Sequence, residues 1–345
     1  MTTHQAKSSG STPKSLARAR MLVGPALAAA SATLSTELRR VVEYHWGWQD
    51  ADGRPAVQRG GKLLRPAFAL LSAEAVGQPA ERALAAGAAL ELIHDFTLLH
   101  DDVMDGDRER RGRATAWAVF GVGPALCAGD ALVPLAQRVL LADESPARVA
   151  ALASLAEATE TVIAGQMLDL AFERRRDIAV ADYVRMASMK TGALLGCAAS
   201  LGALLAEGPP ESVTALAEFG RSLGLAFQAV DDWLGIWGDP RRVGKPAASD
   251  LRQRKASLPI VIGAAHEGAA GAELRALLGG REPLSEDEIA RGVALLEATD
   301  AEACTLELAR FELERALASL ERGAFEPVAR EALRELAVFV VARES

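Results

Sequence analysis

Residues 91–105 read ELIHDFTLLHDDVMD, an apolar stretch that ends in three aspartates. At about 100° per residue, a helix over this stretch aligns one narrow stripe of side chains: His94, Leu98, Asp101 and Asp105. Surface helices usually carry their charge opposite the apolar face. Here the charge continues the apolar stripe. The pattern therefore predicts a largely buried helix that lines an apolar cavity and ends at its acidic mouth.

A second stretch, FQAVDDWLG at 227–235, repeats this arrangement. Helical spacing puts four of its residues on neighbouring turns: Gln228, Asp231, Asp232 and Gly235. Crowded carboxylates repel one another, and hard divalent cations are their usual partners. A basic run follows each cluster, DRERRGR at 107–113 and RRVGKPAASDLRQRK at 241–255. Because Arg and Lys are the usual partners of phosphate oxygens, the two clusters predict a metal-assisted diphosphate site.

The composition predicts an all-α fold in a single domain. The chain has 345 residues, of which 50% are hydrophobic but only 5% aromatic, and Ala and Leu dominate. Such a composition favours helix, and Gly- and Pro-rich breaks separate the segments without a mid-chain linker or a β-branched alternating run. We expect a bundle of about ten or more helices around a central apolar cavity. The net charge of -8 argues against nucleic acid as a partner.

The polar stretch 1–16 is expected to be a disordered tail, so that the domain spans 17–345. Three widely spaced cysteines, Cys127, Cys197 and Cys304, indicate reduced thiols in the cytoplasm. The apolar run from Thr191 to Ala206 is shorter than the roughly 18 residues of a membrane span. No signal sequence opens the chain. The sequence thus predicts a cytoplasmic protein with no membrane span.

An upstream segment, GGKLLRP at 60–66, adds Lys62 and Arg65 at a helix start, where backbone N–H groups also favour anions. In order, the chain then contains ELIHDFTLLHDDVMD, RRG, KTGALL and FQAVDDWLG, followed by GDP, GK, SDL and K. This series resembles the trans-isoprenyl diphosphate (polyprenyl) synthase family over about residues 20–340. The sequences around the two aspartate clusters, DDVMDGDRERRGRATAW and DDWLGIWGDP, resemble those of actinobacterial geranylgeranyl diphosphate synthases. The resemblance implies an enzyme that joins isopentenyl diphosphate to allylic diphosphates with three Mg²⁺ ions, working as a homodimer.

The resemblance also implies a role for each matching residue. Asp101 and Asp105, with Asp102 beside them, would hold two Mg²⁺ ions, and Asp231, supported by Asp232, would hold a third. The remaining site residues divide into those for the allylic diphosphate (Arg110, Lys190, Lys245, Lys255), those for isopentenyl diphosphate (Lys62, Arg65, His94, Arg111) and those facing the reacting carbons (Thr191, Gln228). No side chain is an obvious base, so a diphosphate oxygen is expected to take the proton.

Three positions set the limits of this interpretation. Gly235 stands where the second motif commonly has a third aspartate, which would weaken the third metal site, and Leu63 replaces a frequent arginine. Bulk about one turn before the first motif limits product length in this family. Phe96 with the small Thr97 resembles C20-forming members, with a C15 product as the near alternative.

Two other functions are compatible with parts of the sequence. A class I terpene cyclase shares the fold and the use of aspartate-bound metal ions. Its second metal motif, however, has Asn or Asp, then Ser or Thr three residues later, and then Glu four residues after that. This chain has no asparagine, and Gly235 lies three residues after Asp232. A non-catalytic subunit of a heteromeric prenyl synthase typically lacks the first aspartate motif, which is intact here.

Overall fold

The structure is a computed structural model, described here for residues 13–56, 61–142, 145–173, 175, 177–243, 246–280 and 282–342. It is nearly all helical, which confirms the predicted class. The helices are α1 Lys14–Ser31, α2 Thr36–His45, α3 Leu64–Ala75, α4 Leu84–Met104, α5 Ala116–Phe120, α6 Val122–Leu140, α7 Pro146–Phe172, α8 Val180–Ala187, α9 Ala193–Leu205, α10 Pro210–Trp237, α11 Pro240–Val243, α12 Ser249–Gln253, α13 Leu258–Ala265, α14 Ala269–Leu278, α15 Glu286–Ala298, α16 Ala301–Ser319 and α17 Pro327–Val341.

Three short elements complete the description. A 3₁₀ turn at Ala80–Ala83 leads into α4, and a π-helical turn at Ser188–Gly192 joins α8 to α9. Two-residue strands β1 (Glu109–Arg110) and β2 (Arg113–Ala114) form an antiparallel hairpin after α4. Helix α1 begins at Lys14, and residues 1–12 of the expected tail lie outside the described residues.

Helix α4 lies in the middle of the bundle and packs against α3, α6 and α9. Its first two turns are apolar and largely buried, and Leu90 and Leu92 are fully inaccessible to solvent. Helix α9 lies between α3 and α10 at very close range. A Cβ on Gly202 would lie 1.8 Å from the Ala69 carbonyl oxygen of α3. A Cβ on Gly220 of α10 would lie 2.3 Å from the Leu195 carbonyl oxygen of α9. These glycines fix the distances between the helices that carry the site.

One helical stretch within the described residues, Val180–Leu205, is long and apolar enough to cross a membrane. In the fold, 72% of its apolar window is buried against other helices. That is the burial of a core helix.

Candidate active site

The first aspartate cluster lies at the carboxyl end of α4, and its three carboxylates do not point the same way. Asp101 is half-buried and Asp105 is exposed at the helix end. Burial raises the pKa of Asp101 to about 6, and the negative charge of Asp105 adds to the rise while Lys190 opposes it. Asp102, in contrast, is only 1% exposed and accepts a 2.6 Å hydrogen bond from Nε of Arg110. Asp101 and Asp105 thus face the cleft, whereas Asp102 orients Arg110.

The second cluster, on α10, divides its roles in the same way. Asp231 is exposed, and Asp232 is 2% exposed. The Asp232 carboxylate accepts hydrogen bonds from the Tyr183 hydroxyl, from the Leu258 N–H at 2.7 Å and from Nε2 of Gln228 at 2.9 Å. Burial raises its pKa to about 6. Asp231 is therefore the accessible acid, and Asp232 is the centre of a buried hydrogen-bonding network.

Two lysines act on the clusters: Lys190 on the first, and Lys255 on both. Burial raises the pKa of Asp105, and the charges of Lys190 and Lys255 oppose that rise. Burial would lower the pKa of Lys255, but four aspartates raise it well above its ordinary value: Asp232, Asp250, Asp169 and Asp231. Lys255 therefore interacts electrostatically with acids of both clusters. The two acidic helix ends are thus close enough to share the charge of one lysine.

Lys190 and Thr191 lie in the π-helical turn, which α7 and α10 enclose. A Cβ on Gly165 of α7 would lie 2.4 Å from the Lys190 backbone nitrogen. A Cβ on Gly224 of α10 would lie 2.6 Å from Cα of Gly192. Single π turns recur at functional sites because they displace side chains from the regular helical register. The two glycines thus hold this turn, and the side chains it carries, in a fixed position.

A chain of hydrogen bonds orients the polar groups of this turn. Nε2 of Gln228 donates to Asp232, so Oε1 of Gln228 must face the other way, and it accepts a 2.7 Å hydrogen bond from the Thr191 hydroxyl. Because the hydroxyl has only one proton to donate, the Thr191 oxygen is left with lone pairs for a third group. An electron-rich oxygen at this position suits an electron-poor carbon.

Arg110 and Arg111 occupy the hairpin after α4. The turn residues Arg111 and Gly112 have φ angles of 54° and 71°, which is typical of a two-residue type I′ turn. A non-glycine residue in this region is strained by about 1–3 kcal/mol. The side chains of the two arginines have different neighbours. Arg110 lies against Asp102, while an Arg111 guanidinium nitrogen lies 3.2 Å from the Cβ position that a side chain at Gly61 would occupy.

Arg65 of α3 and His94 of α4 lie together, with His94 two turns before Asp101 on the same stripe of α4. Nε of Arg65 and Nδ1 of His94 are buried and have no hydrogen-bonding partner among the described residues. Burial, together with nearby Arg65 and Arg111, lowers the pKa of His94 well below its ordinary value, so the ring is neutral. Burial lowers the pKa of Arg65 to about 10, and Glu91 and Asp95 oppose the fall. Such orphaned groups fit an anionic ligand.

Lys62 is exposed at the edge of this group, with its ammonium 5.7 Å from the centre of the Phe339 ring. Behind it, a cavity of about 380 Å³ is lined by α1, α2 and α4 and by Arg111. The structure thus brings Arg65, His94 and Arg111 together, and Lys62 follows Gly61, beside which Arg111 lies. Lys245, predicted for the allylic diphosphate, lies outside the described residues.

Phe96 and Thr97 lie one turn before the first aspartates. The Phe96 side chain is 8% exposed and meets the His100 ring edge-on, with ring centres 4.8 Å apart. His100 is itself fixed by Gly129 of α6, whose added Cβ would lie 2.4 Å from the imidazole. The Thr97 hydroxyl donates to the His94 carbonyl at 2.7 Å. Phe96 is therefore held from the side of α6.

Three residues of the site were not predicted from the sequence. Oδ2 of Asp169 on α7 accepts a 2.6 Å hydrogen bond from Nζ of Lys190. Tyr183 on α8 supports Asp232, and Asp250 on α12 lies against Gly235. All three are far from the aspartate motifs in sequence, and only the GQMLD and SDL segments that contain Asp169 and Asp250 could have drawn attention to them.

The donor set can be tested for its fit to a metal. No three acidic, His or Cys side chains among the described residues are close enough to hold one ion by themselves. Mg²⁺ characteristically uses one or two carboxylates and completes its octahedron with phosphate oxygens and water. Asp101, Asp105 and Asp231 offer separate, accessible carboxylates of that kind, with two lysines near them to neutralise phosphate. The residues present fit metal ions that bind together with a diphosphate.

Comparison with known proteins gives a consistent result. The family model described as polyprenyl synthetase matches residues 52–296. The chain is 42% identical over 333 residues to (2E,6E)-farnesyl diphosphate synthase of Mycobacterium tuberculosis, covering 96% of this chain and 93% of the relative. It is 41% identical over 314 residues to geranylgeranyl diphosphate synthase of the same organism, covering 90% and 89%.

The fold agrees with these matches. The crystal structure of a polyprenyl synthetase from Streptomyces coelicolor A3(2) superposes with a TM-score of 0.91 at 42% identity, covering 95% of this chain and 99% of that one. The chain therefore belongs to the polyprenyl synthetase family, and it is a trans-prenyltransferase that uses isopentenyl and allylic diphosphates in the magnesium-dependent manner of that family.

Proposed function

We propose that this enzyme binds an allylic diphosphate between α4 and α10, extends it with isopentenyl diphosphate held beside Arg65 and His94, and releases a C20 product. The observation that carries this proposal is that the charge of Lys255 acts on Asp105 of one acidic helix end and on Asp231 of the other. Lys190 adds its charge at Asp101 and Asp105. In the proposal Asp101, Asp105 and Asp231 hold three Mg²⁺ ions. Asp102 and Asp232 support Arg110 and Gln228 instead of binding metal.

The first step of the reaction follows from the positive charges around the diphosphate. Cleavage of the allylic C–O bond leaves an allylic cation and a diphosphate with added negative charge. Bound Mg²⁺ supplies Lewis-acid stabilisation of that charge. Lys190, Lys255 and Arg110 add fixed positive charge in a site shielded from bulk water, where such charges act strongly. Loss of the diphosphate is the step that these residues favour.

The second step uses the group around Arg65 and His94. Arg65, His94 and Arg111 hold the isopentenyl diphosphate so that its double bond reaches the cation, with Lys62 closing the rim. The new C–C bond forms as the double-bond electrons attack, and a proton then leaves to a diphosphate oxygen. The Thr191 oxygen, oriented by Gln228, faces the positive carbon. The buried apolar walls of α4 and α9 exclude water, which would otherwise capture the cation as an alcohol.

Product length is the finer part of the proposal. Identity to the mycobacterial farnesyl and geranylgeranyl synthases is nearly equal, so similarity does not separate C15 from C20. Phe96 limits the space for the growing chain beside α4. The small Thr97, which lies nearer to the side of α4 that carries Asp101, leaves that space open. This combination favours C20 over C15.

The test is incubation of the purified chain with Mg²⁺, isopentenyl diphosphate and each allylic starter from C5 to C15, followed by product sizing. A C20 synthase consumes farnesyl diphosphate and yields geranylgeranyl diphosphate. A product series that stops at C15, with farnesyl diphosphate left unconsumed, would contradict the C20 assignment while leaving the prenyltransferase activity intact. We further propose a cytoplasmic homodimer, which sedimentation of the same preparation tests.

A further inference from the structure

Gln166 on α7 has a buried side chain whose hydrogen-bonding capacity is unused. The residue is 8% exposed, yet neither its Oε1 nor its Nε2 has a partner among the described residues. A side-chain amide can make about four hydrogen bonds. Buried polar groups in folded proteins almost always form hydrogen bonds. A buried group without one therefore indicates a partner such as a ligand.

The position of Gln166 connects it to the site. Helical spacing puts Val162, Gly165, Gln166 and Asp169 on one side of α7. That side faces the π-helical turn, because Gly165 lies against the Lys190 backbone and Asp169 pairs with Nζ of Lys190 at 2.6 Å. The opposite side of the helix is marked by Ile163 and Met167, which are 46% and 65% exposed. The unpaired amide therefore lies beside the lysine proposed to hold the leaving group.

We propose that Gln166 is an additional substrate-binding residue, whose side-chain N–H donates a hydrogen bond to the diphosphate of the allylic substrate next to Lys190. This assignment rests on the proposed function. An N–H donor suits this place because the leaving diphosphate gains negative charge as the C–O bond breaks. Hydrogen bonds to charged acceptors are stronger than those between neutral groups.

Replacement by leucine separates this role from a structural one. Leucine removes both polar atoms at similar volume, and removal of an unsatisfied buried group is neutral or stabilising. For Gln166→Leu we expect a melting temperature at or above that of the wild type. We also expect kcat/KM for the allylic substrate to fall about 10- to 100-fold, with KM for isopentenyl diphosphate unchanged. Gln166→Met provides the same test if the leucine variant does not fold.

Gln166→Glu distinguishes donor from acceptor. Glutamate keeps the oxygens but replaces the donor with negative charge, so we expect it to be less active than Gln166→Leu. Thr159→Val is the matched control on the same helix, because the buried Thr159 hydroxyl is already satisfied by the Leu155 carbonyl at 2.7 Å. That variant should melt at or slightly below the wild-type temperature and keep full activity.

A binding measurement independent of turnover completes the experiment. Calorimetric titration with inorganic diphosphate in the presence of Mg²⁺ should show binding to wild type and binding about 10- to 100-fold weaker to Gln166→Leu. Equal affinity of the two proteins, a clear loss of melting temperature in Gln166→Leu, or a glutamate variant more active than the leucine variant would each overturn the role of Gln166. Wild-type protein that binds no diphosphate would instead overturn the proposed site.

Discussion

The carboxylate of Asp250 lies directly on the α-carbon of Gly235. A Cβ added at Gly235 would lie 2.4 Å from Oδ2 and 2.6 Å from Cγ of Asp250. The space that a side chain at position 235 would occupy is therefore filled by an acid from α12. Gly235 is required here because any side chain would displace Asp250, which also raises the pKa of Lys255.

Substitution of Gly235 by alanine should consequently lower both stability and activity. Forcing one methyl group into a filled site costs about 1–3 kcal/mol, and displacement of Asp250 disturbs Lys255. Thermal unfolding and steady-state kinetics measure the two effects. Gly24→Ala on α1 is the control, since nothing apart from its chain neighbours lies within 4 Å of its added Cβ. Pro25 follows it and disfavours a β-carbon at this position, so we expect a small loss of stability there, below that of Gly235→Ala. Equal melting temperatures for the two variants would contradict the contact.

The accessible aspartates should matter more for turnover than for folding. We expect Asp101→Ala or Asp105→Ala to lower kcat by at least about 100- to 1,000-fold, the loss seen when one preorganised charge-stabilising group is removed. The melting temperature of the metal-free protein should not fall, because burial, the main cause of the raised pKa of both carboxyl groups, disfavours their ionised forms in the folded protein. Turnover with saturating Mg²⁺ checks the first expectation, and differential scanning calorimetry checks the second. Wild-type rates in either variant would exclude the metal assignment.

Phe96→Ala should lengthen the product. The ring closes the flank of the α4 stripe and is held by His100, so its removal opens space for at least one more C5 unit. Sizing the products from farnesyl diphosphate measures the change. Phe68→Leu is the control, because Phe68 is fully buried against Phe219 and away from the aspartates. It should alter stability but not chain length. An unchanged product from Phe96→Ala would remove Phe96 from the cavity wall.

His94 should make the free energy of unfolding depend on pH. Its folded-state pKa lies well below the ordinary value of 6.5, so above that pH both states carry a neutral ring. As the pH falls below 6.5, the unfolded chain binds a proton that the folded protein does not, and stability is lost by up to about 1.4 kcal/mol per pH unit. Denaturant unfolding between pH 7 and pH 5 should show a shallower loss for His94→Gln than for wild type. The exposed His266→Gln control should follow the wild type, and parallel curves for all three would contradict the prediction.

The sequence by itself determined the class of fold, the two acidic helix ends and the family. These features are local: helical periodicity puts Asp101 and Asp105 on one stripe, and ordered short motifs identify relatives. The tertiary structure decided which member of each aspartate pair is accessible, because burial of Asp102 and Asp232 depends on Arg110, Tyr183 and Leu258 arriving from distant elements. It also decided that Asp169 pairs with Lys190, that Asp250 fills the space beside Gly235 and that Gln166 is buried with no hydrogen-bonding partner in the described part of the chain. Those relations depend on helices packed at backbone contact through glycines, and the spacing of residues along one chain does not specify which remote side chains such contacts bring together.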